Sequence, residues 1–262
     1  MYQIYDEIIT TILLAIVQGI TEWLPVSSSG HLVIAQEWLG LELPLIFDVM
    51  LHVGTLGVII VVFWKDIVKM IVAIVRLDFG TEGGKLALFI AVGSVPTALM
   101  GFFFHDIFES FFNNVLVVGI ALLVTGFSLH VSERQKGEKK LSYLDSLLTG
   151  IAQGVSIIPG ISRSGLTIAT GLLRKVEKET AFKYSFLLSM PAIIGATITE
   201  SRELIIGDLN LLAVFIGVVT SFSVGYLSLK ALRKIVMNKK FHLFAYYCWT
   251  IGAIVVLFQF FQ

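Results

Sequence analysis

Four stretches of this chain run for nearly twenty residues without a formal charge: Leu86 to Phe104, Val115 to Val131, Leu211 to Leu229 and Leu243 to Phe261. A helix that crosses a bilayer needs roughly 20 mostly apolar residues. Two further stretches fit with polar intrusions: Ile46 to Trp64, which carries Asp48 and His52, and Tyr184 to Thr199. Composition agrees, with 56% hydrophobic and 15% charged residues over 262 positions. A soluble domain usually carries about 25% charged residues. The expected class is an all-α polytopic membrane protein, one membrane domain over 1–262, with six spanning helices.

Two apolar regions remain, Ile4 to Leu39 and Leu144 to Leu173, each broken at its centre by Pro, Ser and Gly. Neither half of either region is long enough to cross comfortably. Basic residues help to place them. All lysines and arginines except Arg163 and Arg202 fall in four clusters, around Lys65 to Lys85, Arg134 to Lys140, Arg174 to Lys183 and Lys230 to Lys240. The positive-inside rule assigns these clusters to the cytoplasm, with the connectors near Asn113 and Glu203 outside. The second broken region then lies between two cytoplasmic clusters and is expected to enter and return on one side. By analogy the first is expected to be a hairpin from the outside; one kinked crossing with a cytoplasmic N-terminus is the competing reading. No positive n-region or small-residue cleavage site precedes the next apolar run, so no signal peptide is expected.

A shift of 135 residues aligns the two broken regions. Gln18-Gly19-Ile20-Thr21 falls on Gln153-Gly154-Val155-Ser156, and Ser27, Ser29 and Gly30 fall on Ser162, Ser164 and Gly165. Halves of about 1–131 and 142–262 are therefore expected, each a hairpin followed by three spans. An odd number of crossings inverts the second copy, which gives an inverted-topology repeat with broken elements meeting near the midplane.

The loops carry the reactive groups. The first contains Gln18, Glu22, Pro25, Ser27, Ser28, Ser29, Gly30 and His31; the second contains Gln153, Pro159, Gly160, Ser162, Arg163, Ser164, Gly165 and Thr167. Ionisable groups at membrane depth are costly, roughly 2.5 to 3.5 kcal/mol for a central arginine by insertion scales, and are usually partnered and functional. Gln18 and Glu22 share a helix face. Pro25 is expected to end that helix near Leu24, and a second helix starting after Ser29 would turn free N–H groups towards a ligand, a geometry suited to phosphate. Arg163 adds a planar fork for phosphate oxygens. Histidine can move a proton near neutral pH, and serine attacks when a base activates it. The plainer alternatives are helix packing and capping for the serines and a structural ion pair between Glu22 and Arg163. Asp48 and His52, four apart, could pair with each other. Cys248, the only cysteine, reads as packing, and Pro96 and Pro191 as helix kinks. Zero net charge gives no reason to expect nucleic acid.

At these loops the sequence resembles the undecaprenyl-diphosphate phosphatase family, the one linked to bacitracin resistance. Gln18, Glu22 and the run Leu24-Pro25-Val26-Ser27-Ser28-Ser29-Gly30-His31 carry its first motif. Pro159, Gly160, Ser162, Arg163, Ser164, Gly165 and Thr167 carry the second, and Phe47, Asp48 and His52 a lesser one. The resemblance implies hydrolysis of a polyprenyl diphosphate lipid to the monophosphate, recycling a carrier for cell-envelope synthesis, in the plasma membrane with the site facing outward. It implies Ser28 as nucleophile, with His31 as the alternative, and Glu22 and His31 in proton transfer. Substrate would be bound by Arg163, Ser162, Ser164, Thr167, Ser27, Gly30 and Gly165. It also implies a divalent cation, Mg2+ or Ca2+, near Glu22 and Gln18; glutamine at the first position offers no charge to a metal. A lipid-phosphate flippase using the same loops is the competing function. A monomer and a homo-oligomer fit the sequence equally.

Overall fold

The computed structural model describes residues 2–39, 45–133, 137–200 and 210–260. Twelve helices make up the described residues. The first broken region becomes α1 (Tyr2–Thr21) and α2 (Ser28–Leu39). Then follow α3 (Leu45–Val62), α4 (Trp64–Val75), α5 (Glu82–Phe103), α6 (His105–Phe112) and α7 (Val115–Ser132). The second broken region becomes α8 (Tyr143–Val155) and α9 (Arg163–Leu173), followed by α10 (Lys178–Glu200), α11 (Leu211–Met237) and α12 (Leu243–Phe260).

Among the described residues, α5, α7, α10 and α11 are long and apolar enough to cross a membrane, and α1, α3 and α12 contain shorter apolar stretches. Each of the six expected spans coincides with a helix. Two helices were not anticipated. The basic stretch after Trp64 is not a plain loop but the amphipathic α4, which buries Ile67, Met70 and Ala73 at a spacing of three. That spacing is a helical signal. Short α6 buries Phe108 in the same manner.

The two hairpins are embedded in the bundle. α1 packs along α11 and α8 along α5, while α7 lies against α12 and α3 against α10. Small residues permit these approaches. A Cβ on Gly150 of α8 would strike the Gly93 backbone of α5, and one on Gly19 of α1 would come within 2.9 Å of the Ser221 carbonyl on α11. Without water at this depth, polar atoms must find partners inside the protein. Gln153 donates to Thr97 and to the Leu188 carbonyl, and Thr97 donates to the Gly150 carbonyl. Pro96 and Pro191 both lie inside helices.

The main core gathers Trp23, Val58, Phe182, Phe186, Leu229, Phe241 and Cys248. Trp23 meets Phe186 edge to face at 5.4 Å. This apolar floor lies directly beneath the first loop and brings together residues far apart in the chain. Cys248 is buried and free, in keeping with its packing role.

Candidate active site

Both helix breaks are built by the same local device. Ser27 and Ser162 are the residues just before α2 and α9, and each caps its helix: the Gly30 amide donates to Ser27 Oγ at 3.2 Å and the Gly165 amide to Ser162 Oγ at 3.1 Å. Such caps contribute about 1 kcal/mol. α2 therefore starts at Ser28, two residues earlier than expected, because Ser27 rather than Ser29 closes its first turn. α1 ends at Thr21, three residues before Leu24, and Leu24 instead accepts a tight backbone bond from the Val26 amide at 2.7 Å. Ser27 takes a left-handed φ of 69° and Gly160 one of 95°. At Gly160 a side chain would also collide with the Val118 carbonyl.

The two loops lie against each other. Ser27 Oγ also accepts the Gly160 amide at 3.0 Å, and Ser164 Oγ donates to the Trp23 carbonyl at 3.1 Å. A Cβ on Gly30 would sit 3.0 Å from Gly160, and one on Gly165 would sit 3.2 Å from Pro25. Thr125 of α7 ties down the second loop by donating to the Gly160 carbonyl and accepting the Ser162 amide, both at 3.0 Å.

At the centre is Glu22, whose side chain is 2% exposed. Ser28 donates to its Oε2 at 2.6 Å and Gln18 Nε2 to the same oxygen at 3.0 Å. His52 Nε2 approaches it at 3.3 Å, and Arg163 pairs with Oε1. The Arg163 guanidinium also lies 5.9 Å above the Trp23 ring. Arg163 Nη1 is buried and has no hydrogen-bond partner among the described residues. Buried donors are normally satisfied, so this one marks a place for a missing acceptor.

His31 stands at the edge, half-buried. Its Nδ1 bonds the Ser27 carbonyl at 2.7 Å and its Nε2 bonds the Tyr247 hydroxyl at 2.7 Å.

The structure thus joins Glu22, Ser28, Arg163 and Gln18 in one hydrogen-bonded cluster, with His31 beside it through Ser27. Ser162, Ser164 and Thr167, each 1% exposed, are turned inward instead. Thr167 donates to the Arg163 carbonyl at 2.7 Å and lies 2.5 Å from Ser185. Two partners of the site escaped the sequence reading. His52 reaches Glu22, whereas the Asp48 side chain with which it was paired lies outside the described residues, as does that of Phe47. Tyr247, inside an apolar span, gave no signal of its own.

The metal expectation can be weighed against these contacts. Gln18 Oε1 is a buried oxygen with no partner among the described residues. Both oxygens of Glu22, however, are already engaged by Arg163, Ser28, Gln18 and His52. Mg2+ and Ca2+ want several oxygen ligands, usually including free carboxylates. Without displacement of these partners, Glu22 and Gln18 do not fit such an ion. The one described cluster with metal-like spacing, His105, Asp106 and Glu109, lies among the exposed residues of α6.

Comparison with known proteins supplies the family. The pattern of the bacitracin resistance protein BacA matches residues 11–254. A protein named undecaprenyl-diphosphatase from Methanosphaera stadtmanae is 42% identical over 269 residues, covering 96% of this chain and 98% of the relative. Another of that name from Alkaliphilus metalliredigens is 42% identical, covering 95% of this chain and 97% of the relative. A third, from Halothermothrix orenii, is also 42% identical, with 96% and 98% covered. With its loops, its helical bundle and nearly its whole length accounted for in this way, the chain belongs to the BacA bacitracin resistance family.

Proposed function

We infer that this chain is an undecaprenyl-diphosphatase: a membrane enzyme that hydrolyses undecaprenyl diphosphate to the monophosphate and inorganic phosphate. One observation carries the assignment of the site. A single buried carboxylate, Glu22, is shared by a hydroxyl at 2.6 Å and an arginine whose second nitrogen has no hydrogen-bond partner among the described residues. An acceptor, a nucleophile and an open cation are together what phosphoryl transfer requires, since positioning and charge neutralisation do most of the work.

In the mechanism we propose, the distal phosphate lies between Ser28 and the free Nη1 of Arg163. Glu22 takes the Ser28 proton as Oγ attacks phosphorus. The Oγ–P bond forms, the bridging P–O bond breaks, and its electrons leave on undecaprenyl monophosphate. Water then attacks phosphorus of the phosphoserine and passes a proton to His31; the Oγ–P bond breaks, Ser28 Oγ takes back the proton held by Glu22, and phosphate leaves. His31 serves proton movement at that stage. It is the weaker nucleophile candidate because both its ring nitrogens are engaged. The amides of Ser28, Ser29, Arg163 and Ser164 lie in the first turns of α2 and α9, where helix geometry leaves donors free for an anion. Ser27, Ser162, Ser164, Thr167, Gly30 and Gly165 shape this binding site by holding the loops rather than by touching phosphate. Glu22 and Gln18 could hold Mg2+ or Ca2+ only if the present partners of Glu22 moved away, and it would then supply positive charge; the mechanism has no step through it.

The paired packing of α1 on α11 and α8 on α5 supports reading 1–131 and 142–262 as inverted halves. The hairpins are then re-entrant, six helices span the plasma membrane, and the site faces the extracytoplasmic side. Single cysteines replacing Asn113 and Gln135 should label from opposite sides of the membrane; labelling from one side would overturn this topology.

Purified protein in detergent should release phosphate from a polyprenyl diphosphate, and Ser28→Ala should abolish most of the release. Wild-type protein that releases none, yet moves the lipid across vesicle membranes, would identify a carrier instead.

A further inference from the structure

We propose that Tyr247 of α12 is a positioning residue for His31, holding it as the tautomer whose Nε2 lone pair faces the substrate. The proposal rests on the reading of His31 as a proton-transfer group. A backbone carbonyl only accepts hydrogen bonds. The 2.7 Å contact of His31 Nδ1 with the Ser27 carbonyl therefore puts the ring proton on Nδ1. In the neutral imidazole this leaves Nε2 as the acceptor, so the Tyr247 hydroxyl, also at 2.7 Å, is the donor.

The phenol ring supplies the second constraint. It stacks on the imidazole with centroids 5.7 Å apart and planes only 12° from parallel. Rotation of His31 about its outer bond is thus blocked by a ring face and by bonds at both nitrogens. The arrangement joins opposite ends of the sequence, since the two residues are 216 positions apart. Tyr247 lies on the open side, 42% exposed, whereas the Ser27 carbonyl belongs to a capped turn. The hydroxyl can be displaced from Nε2 by a substrate oxygen or by the attacking water without loss of the tautomer. Tyr247 in this role resembles the third member of a nucleophile–base–orienter set, in which orientation of the base matters as much as its chemistry. It differs in that it sits on the working nitrogen rather than behind the ring.

The neighbouring Cys248 supports the separation of roles along this helix. Cys248 Sγ points into the core, 3.5 Å from the Pro25 carbonyl, and Ala245 is fully buried, while Tyr247 turns towards His31.

Tyr247→Phe keeps the ring and removes the hydroxyl, and Tyr247→Leu removes both. Turnover of undecaprenyl diphosphate by the detergent-purified full chain should fall about tenfold for Phe and about a hundredfold for Leu. KM should stay within about twofold, because Arg163 and the helix amides still hold the substrate. Thermal midpoints close to that of the wild type would show that both variants fold. In nitrogen-15 spectra His31 should be the Nδ1–H tautomer in the wild type and a mixture with Nε2–H in Tyr247→Leu. His31→Ala serves as the control. If it loses activity while both Tyr247 variants turn over at the wild-type rate, the inference about Tyr247 is wrong and the site reading stands. If His31→Ala keeps the wild-type rate, the role of His31 fails and the proposal fails with it.

Discussion

The two helix breaks share one design and differ in what stands at its tip. In both, a serine caps the helix through the amide of a glycine three residues on. In both, a second serine lies near the first, at 3.3 Å for Ser27 and Ser29 and 3.4 Å for Ser162 and Ser164. Between those serines stand Ser28 in the first loop and Arg163 in the second, at equivalent positions under the 135-residue shift. Both reach the same carboxylate, Glu22, from opposite loops. The positions matching Glu22 and His31 in the second loop are Ile157 and Leu166, which carry no proton chemistry. A common cap thus fixes the backbone in both loops, and in the proposed mechanism the residue at the first helical position sets the role: attack from one side, grip from the other. Ser27 and Ser164 bond across from one loop to the other, while the side chains of Ser162 and Thr167 bond within the second half.

The comparison is most easily broken in the first loop. Ser28→Ala and Glu22→Gln should each lower kcat by about 10²- to 10⁴-fold, with binding of a non-hydrolysed diphosphate little changed. Glu22→Gln also leaves Arg163 without its counter-charge, and loss of one partner of a buried pair costs about 3 to 5 kcal/mol. Its thermal midpoint must therefore be read beside its rate. In the second loop, Arg163→Lys keeps the charge but loses the fork. A charge-assisted hydrogen bond contributes about 1.5 to 3 kcal/mol, so substrate affinity should drop roughly ten- to a hundredfold, measured as KM, with a smaller change in kcat. Equal effects of Ser28→Ala and Arg163→Lys on KM would erase the proposed division.

Smaller effects sharpen the picture. Gly160→Ala should destabilise the protein by about 1 to 3 kcal/mol, since its φ of 95° and the Val118 carbonyl both oppose a side chain. The loss should appear in thermal unfolding. Ser162→Ala removes one cap and should cost about 1 kcal/mol. Ser27→Ala should cost more, because Ser27 also accepts the Gly160 amide and so binds the second loop to the first. A Ser162→Ala variant less stable than Ser27→Ala would show that the loop-to-loop bond contributes little.

Much of this was legible in the sequence for local reasons. The breaks at Pro25 and Pro159 interrupt long apolar runs, and the repeated Ser-x-Ser-Gly spacing marks the caps. Glu22 and Arg163, ionisable groups within apolar stretches, demanded partners, and each turned out to be one partner of the other. What could not be read depends on contacts far apart in the chain. His52 read as a possible partner of Asp48, whose side chain lies outside the described residues; its approach to Glu22 depends on the packing of α3 near the first loop. Tyr247 was one aromatic among many in an apolar run until α12 placed it on His31. The resemblance implied that Ser162, Ser164 and Thr167 bind phosphate; in the structure all three are buried and bond to the loops and to Ser185, contacts that no local pattern announces.

The central claim is that one site is shared unequally between two loops. Parallel titration of Ser28→Ala and Arg163→Lys with undecaprenyl diphosphate, scored for both binding and phosphate release, tests it most directly. The account predicts that Ser28→Ala binds near wild-type affinity and releases almost no phosphate, while Arg163→Lys binds weakly and still turns over at saturation. Wild-type turnover by Ser28→Ala, or full affinity in Arg163→Lys, would contradict it.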